Sequence, residues 1–160
     1  MLVNSGRLEA DGDRFRFLGD DEDLTIPDSV SAIIGARLDR LDPDELAVVQ
    51  DAAVVGMSMT LASVSELQGK SPEAVEPLLR NLVRSEILEF DEDPRSPERG
   101  QFRFVQGLIR EVAYARLSRS ERVNRHLAIA QRLEADGDVE VAGIIAGHYA
   151  NAAAAAPDNA

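Results

Sequence analysis

The sequence has no cysteine and no tryptophan, and its aromatic residues stop at five phenylalanines and two tyrosines. Without cysteine there is no disulfide, no thiolate nucleophile, no cysteine-ligated zinc and no iron–sulfur cluster. The shortage of aromatics points to aliphatic helix-on-helix packing. Basic residues are also scarce: 17 Lys and Arg stand against 29 Asp and Glu, for a net charge of −12. Such a charge repels polyphosphate and anionic membrane surfaces, which makes DNA and membranes poor default partners. No apolar run approaches the roughly 18 residues of a membrane span. The first six residues, Met1 to Gly6, lack the basic-then-apolar order of a secretion signal. The expectation is a cytoplasmic, globular chain, and 160 residues suffice for a substantial core.

Periodicity then changes along the chain. Around Asp11, Gly12 and Asp13 the alternation of Phe15, Arg16 and Phe17 predicts a small hairpin. The acidic run Asp20 to Asp23 reads as a linker. A calcium loop begun at Asp11 would need Gly sixth, where Arg16 stands. From Pro27 and Asp28 a helical period places Val30, Ile33, Ile34, Leu38 and Leu41 on one face. Asp42, Pro43 and Glu45 mark the start of a second helix that stops near Gly56, and Thr60 to Gly69 bound a third.

Gly69, Lys70 and Ser71 form a short turn into a helix begun at Pro72, with Val75, Leu78, Leu79, Leu82 and Val83 on one face. This is a helix-turn-helix pattern. Pro77 implies a bend or a late start. Ile87 to Phe90 and Phe102 to Phe104 read as two strands flanking a polar loop. Three helices followed by such a hairpin is the winged-helix order. Beyond it, Leu108, Ile109, Val112 and Ala113 share a helix face. Ser118 and Glu121 cap another helix with Val123, Leu127, Ala130 and Leu133, ended by Gly137, and a last helix with Val141, Ile144, Ile145 and His148 ends in an alanine run. The heptapeptide Arg-Leu-Glu-Ala-Asp-Gly-Asp occurs at both 7–13 and 132–138, in unlike surroundings, and reads as coincidence.

Catalytic motifs do not assemble. Gly69-Lys70-Ser71 resembles the end of a phosphate-binding loop, but Val64 stands where the earlier glycine belongs. His126 and His148 fall on different helices with no ligand at helical spacing, so His126 reads as a surface or boundary residue and His148 as a hydrogen-bonded packing element. The expectation is no enzyme, no cofactor and no metal in this chain. On the second helix of the helix-turn-helix, Arg80 and Arg84 are the basic residues among Glu73, Glu76, Asn81 and Glu86, a poor face for the major groove. The wing loop carries Asp91, Glu92, Asp93 and Glu98 against Arg95 and Arg99. The stretch from Gly107 to Glu134 is locally basic, and its Arg122, Arg125 and Arg132 share one polar helix side. A solvated face, pairing with the acidic linker, and a docking surface are both open readings of that stripe.

Ile26-Pro27-Asp28-Ser29-Val30, Ala36-Arg37-Leu38-Asp39-Arg40-Leu41, and the run from Phe102-Arg103-Phe104 to Leu108-Ile109-Arg110-Glu111-Val112-Ala113-Tyr114 carry a resemblance. Together they resemble the region after the ATPase core of bacterial STAND-type regulators, including those fused to adenylate cyclase or LuxR-type domains. The resemblance implies a mainly α chain: a hairpin and helical segment closing the ATPase module over 1–41, a winged helix over 42–117, and the start of a tetratricopeptide-like superhelix over 118–160. It implies a regulatory module that contacts an upstream ATPase core and downstream helical repeats, with ATP or ADP bound in the parent protein. The alternative is a DNA-binding winged-helix regulator. Family members often carry His where this chain has Gln106, before Gly107, at a position resembling a nucleotide-phosphate sensor. Gln can donate a hydrogen bond there but carries no positive charge.

Overall fold

The computed structural model describes residues 8–11, 14–17, 28–97, 99–136 and 141–156, in two compact units, Met1–Ser31 and Ala32–Ala160. In the first unit, β1 (Leu8–Asp11) and β2 (Arg14–Phe17) pair antiparallel, from Leu8 opposite Phe17 to Asp11 opposite Arg14. The expected hairpin is therefore present; Gly12, Asp13 and the acidic run at 19–23 lie outside the described residues.

α1 (Asp28–Leu38) begins where proline and aspartate suggest. Its apolar face is narrower than the sequence implies. Ile34 and Leu38 are buried, whereas Ile33 is 70% exposed and Val30 38% exposed. Ile33 lies about 100° around the helix from Ile34, off the stripe that Ile34 and Leu38 form. Arg116 reaches back to this helix, donating to the Gly35 carbonyl at 2.8 Å and to Asp39 at 2.7 Å.

The second unit is organised on α2 (Pro43–Val55), whose Val48, Val49, Ala52 and Ala53 are fully buried. The Glu45 carboxylate accepts from the Asp42 backbone N–H at 3.2 Å, as the capping pattern requires. A two-residue strand, β3 (Ser58–Met59), follows and was not visible in the sequence. Next comes α3 (Leu61–Gln68), capped by reciprocal Thr60–Ser63 bonds and ended by Gly69 at φ 61°. That left-handed value suits glycine, and the following Lys70 N–H closes the end on the Ser65 carbonyl.

α4 (Pro72–Arg84) buries Val75, Leu79 and Leu82. It starts at Pro72 with Pro77 inside it, so no late start occurs. A proline one turn in removes only the donor to the Glu73 carbonyl, at an exposed position that water can satisfy. β4 (Leu88–Phe90) and β5 (Phe102–Phe104) form an antiparallel pair with Leu88 opposite Phe104. β3 joins the other edge of β5, giving the order β3-β5-β4. Phe102 and Phe104 point into the core while Arg103 stays exposed, the period-two alternation of a one-sided strand. α5 (Gly107–Ala115), α6 (Arg119–Asp136) and α7 (Ala142–Ala155) complete the unit. Ser118 and Glu121 cap α6 as expected, with Ser118 N–H donating to the carboxylate at 2.8 Å; Gly137 lies outside the described residues. The described residues are thus mainly helical with a small three-stranded antiparallel sheet, and none of their helices is long and apolar enough to cross a membrane.

Candidate functional site

The α3–turn–α4 unit presents the polar side of α4, and its cations are already engaged. The Arg80 guanidinium lies 4.6 Å from the Phe90 ring centroid and 3.3 Å from the Glu76 carboxylate. Stacking on a ring and pairing with a carboxylate both use the planar guanidinium. Arg84 donates to the Asn81 side-chain oxygen. Glu73 is held below the usual carboxylate range by a hydrogen bond from its own backbone N–H and by Ser71, so it stays anionic at the start of the helix.

The wing loop uses its acids on itself. Asp91 accepts from the Asp93 backbone N–H at 2.9 Å and from the Ser96 hydroxyl, and Asp93 accepts from the Arg95 backbone N–H at 2.9 Å. The Ser96 hydroxyl and the Asp93 N–H hold the Asp91 carboxyl below its ordinary value. Such turns fix the loop's shape and keep negative charge on its surface.

Gln106 sits at the N-cap position of α5, exposed, and its side chain does not cap the helix. Its backbone carbonyl accepts from the Ile109 N–H at 3.1 Å, so the main chain alone starts the turn.

The arginine stripe of α6 is part buried and part solvated: Arg125 is 22% exposed, whereas Arg132 is 48% exposed. Arg125 lies 2.5 Å from Asp51, whose side chain is only 6% exposed and also accepts from Gln68 at 2.5 Å. Arg132 makes a two-pronged contact with Glu66 at 2.7 and 2.9 Å, and this bond holds Glu66 below the usual carboxylate range. Arg122 lies 4.7 Å over the Tyr114 ring and donates to the Ala115 carbonyl at 3.0 Å, while its Nε is buried without a partner. Through Arg125 and Arg132 the stripe ties α6 to α2 and α3. The acidic linker lies outside the described residues; the carboxylates seen to meet these arginines among the described residues include Asp51, Glu66 and, one helical turn away, Glu121.

The sequence reading missed a buried polar chain. His126 is 2% exposed and is no surface residue; His148 is 7% exposed. Their Nδ1 atoms are 2.8 Å apart, and the Tyr114 hydroxyl lies 2.9 Å from His126 Nε2. Burial, with the nearby His148 and Arg110, pushes His126 down to about 4, and burial lowers His148 as well. At neutral pH both rings are uncharged. His148 also forms part of the wall of an open cleft of about 660 Å³ between β3, α3, α6 and α7, lined by apolar residues such as Met59, Leu67 and Ile129 and by polar ones such as Ser63, Gln101 and Arg132. The 22-residue separation of the two histidines left no local pattern to find. Among the described residues no group of three or more metal-ligating side chains gathers. Comparison with known proteins adds no relative: no family model, no curated protein and no solved structure matches the chain.

Proposed function

We propose that this chain is a non-catalytic regulatory module of a larger STAND-type signalling ATPase, built on a winged helix that packs against the ATPase core. The order α2, β3, α3, α4, β4, β5, with β3 and β4 on either side of β5, supports the winged-helix reading. On that reading α4 is the recognition helix and residues 91–101 are the wing, while α6 and α7 begin the helical repeats.

The observation that carries the regulatory reading is the condition of the α4 face. Its Arg80 and Arg84 are spent on Phe90, Glu76 and Asn81, and the neighbouring wing is acidic. A DNA reader needs free Arg, Lys, Asn or Gln at those places to reach base edges and phosphates. A protein surface makes no such demand. Gln106, exposed at the start of α5, is the residue assigned to approach the bound nucleotide of the core, with a neutral donor.

Two measurements test the reading. Fluorescence anisotropy with duplex DNA at physiological salt should give no binding at micromolar protein; nanomolar sequence-specific binding would establish the DNA-binding alternative. The ATPase segment encoded ahead of this chain, expressed separately, should bind it more tightly with ADP than with ATP. Equal affinities in the two nucleotide states would refute a role in the switch.

A further inference from the structure

Little apolar surface holds α7 in place. Among its described residues only His148 and Ala152 are buried, most of the others are small, and Ile144 is 55% exposed. The helix packs chiefly on α6, which is itself tied to α2 by Arg125–Asp51 and to α3 by Arg132–Glu66. The largest buried anchor of α7 is therefore a polar one, the His148 ring set against the His126 ring. A helix with so few buried apolar side chains belongs to the part of a protein that opens locally, ahead of the core.

The ring contact is exacting about protons. At an Nδ1–Nδ1 distance of 2.8 Å one nitrogen donates and the other accepts, whichever tautomers the rings adopt. One added proton leaves a buried imidazolium. A second sets two N–H groups and two like charges face to face, and the bond is lost. The neighbouring groups do not offset this charge. From α5, Tyr114 offers a hydroxyl and Arg110 a cation that acts against a charge on His126. On α6, Arg122 lies over the Tyr114 ring and Arg125 meets Asp51 of α2. Glu66 of α3 is paired with Arg132, and Glu134 accepts from the Tyr149 hydroxyl of α7 at 2.8 Å. Among the described residues neither histidine pairs with a carboxylate. Burial, aided at His126 by His148 and Arg110, holds both rings below their ordinary value, so both gain protons when the contact opens.

We propose that the His126–His148 contact is an acid-sensitive clasp, whose protonation releases α7 from α6 while the core around α2 stays folded. Release takes Ile144 and His148 off the wall of the cleft and uncovers the α6 surface around His126. Each histidine that regains its ordinary value near 6.5 on opening raises the opening equilibrium about 30-fold between pH 7.5 and pH 5. The clasp involves only α5, α6 and α7 and does not depend on the winged-helix reading.

Amide hydrogen exchange of the 160-residue chain, followed by NMR and expressed as protection relative to unstructured rates, tests the clasp. At pH 7.5 the amides of 148–152 in α7 should be less protected than those of 49–54 in α2. Between pH 7.5 and 5 the α7 protection should fall by about 30-fold to 1000-fold, one or both histidines' worth. The double variant His126→Asn/His148→Asn puts a neutral amide near each Nδ1, so its α7 protection should change by less than about threefold over the same range. His126→Asn alone should show a smaller fall than wild type, which keeps the linkage measurable if the double variant does not fold. Glu134→Gln, which alters the Tyr149 tie and leaves both rings, should fall as wild type does. Equal protection of α7 and α2, a wild-type fall below threefold, a fall as large as wild type in either histidine variant, or loss of the fall in Glu134→Gln would each overturn the proposal.

Discussion

Removing Arg125 should destabilise the protein more than removing any other cation in its ion pairs. Its partner Asp51 is 6% exposed on the central helix α2, and without the guanidinium a carboxylate remains there with the Gln68 amide as its remaining partner. Breaking a buried ion pair from one side costs about 3–5 kcal/mol. Arg125 is itself 22% exposed, which lets water reach the vacated space, so the lower end, about 3 kcal/mol, is expected for Arg125→Met. For a chain of this size that is a fall in melting temperature of roughly 6–12 °C. Arg103→Met, which breaks the half-exposed Arg103–Glu89 pair, should cost under about 1 kcal/mol. The double variant Asp51→Leu/Arg125→Met should recover most of the loss, because it removes the stranded charge along with its partner. Urea unfolding followed by far-ultraviolet circular dichroism reads all three. An Arg125→Met variant no less stable than Arg103→Met would refute the reasoning, and so would a double variant weaker than both singles combined.

Three further outcomes follow from the same structure. His126, held near 4 by burial and by His148 and Arg110, and His148, lowered by burial, bind fewer protons folded than unfolded. Stability from this pair is therefore fully present above about pH 6.5 and is lost as pH falls from there toward 4; thermal melts of wild type and His148→Gln between pH 8 and 4 should converge as the pH drops. Glu86 ends α4 at φ 55° without being glycine, so Glu86→Gly should raise stability by about 0.5–1 kcal/mol, since its contact with Arg37 is a 3.9 Å surface pair; an unchanged urea midpoint would count against strain there. Isothermal titration of the isolated chain with Mg-ATP should show no binding in the micromolar range, because no glycine-rich cradle precedes Lys70, and a single micromolar site would refute this.

Much of the helical frame was legible because its boundaries are local chemistry. Asp42 with Glu45, Thr60 with Ser63, and Ser118 with Glu121 each satisfy a helix start with side chains three residues apart, while Gly69 ends α3 by its left-handed backbone and Pro72 opens α4 at its first position. What stayed hidden depends on the other partner. Ser58 and Met59 form a strand only because β5 offers a free edge opposite Arg103 and Phe102. The duplicated heptapeptide makes the point within one chain: Leu8–Asp11 is a strand paired to β2, while the same four residues at 133–136 end α6. Identical local propensity yields to whichever neighbours the fold supplies.

The same distinction governs the site. The charge balance of α4 could be counted in the sequence, but the commitment of Arg80 to Phe90 and of Arg125 to Asp51 needed the packing of distant elements. α2 collects these ties: its Asp51 holds α3 through Gln68 and α6 through Arg125, and its Ala53 carbonyl accepts from Arg110 of α5 at 3.0 Å. A displacement of α6 therefore works directly on the carboxylate that also positions α3. On the proposed function this makes α2 the element through which the helical repeats and the winged helix move as one body, leaving the exposed α4 face and Gln106 as the surfaces open to the ATPase core. Asp51→Asn separates the two roles of that carboxylate: it keeps an acceptor for Gln68 but removes the charge that Arg125 meets. Hydrogen exchange should then quicken in α6 while α3 stays protected, and equal acceleration in both helices would show that Asp51 does not act as the shared tie.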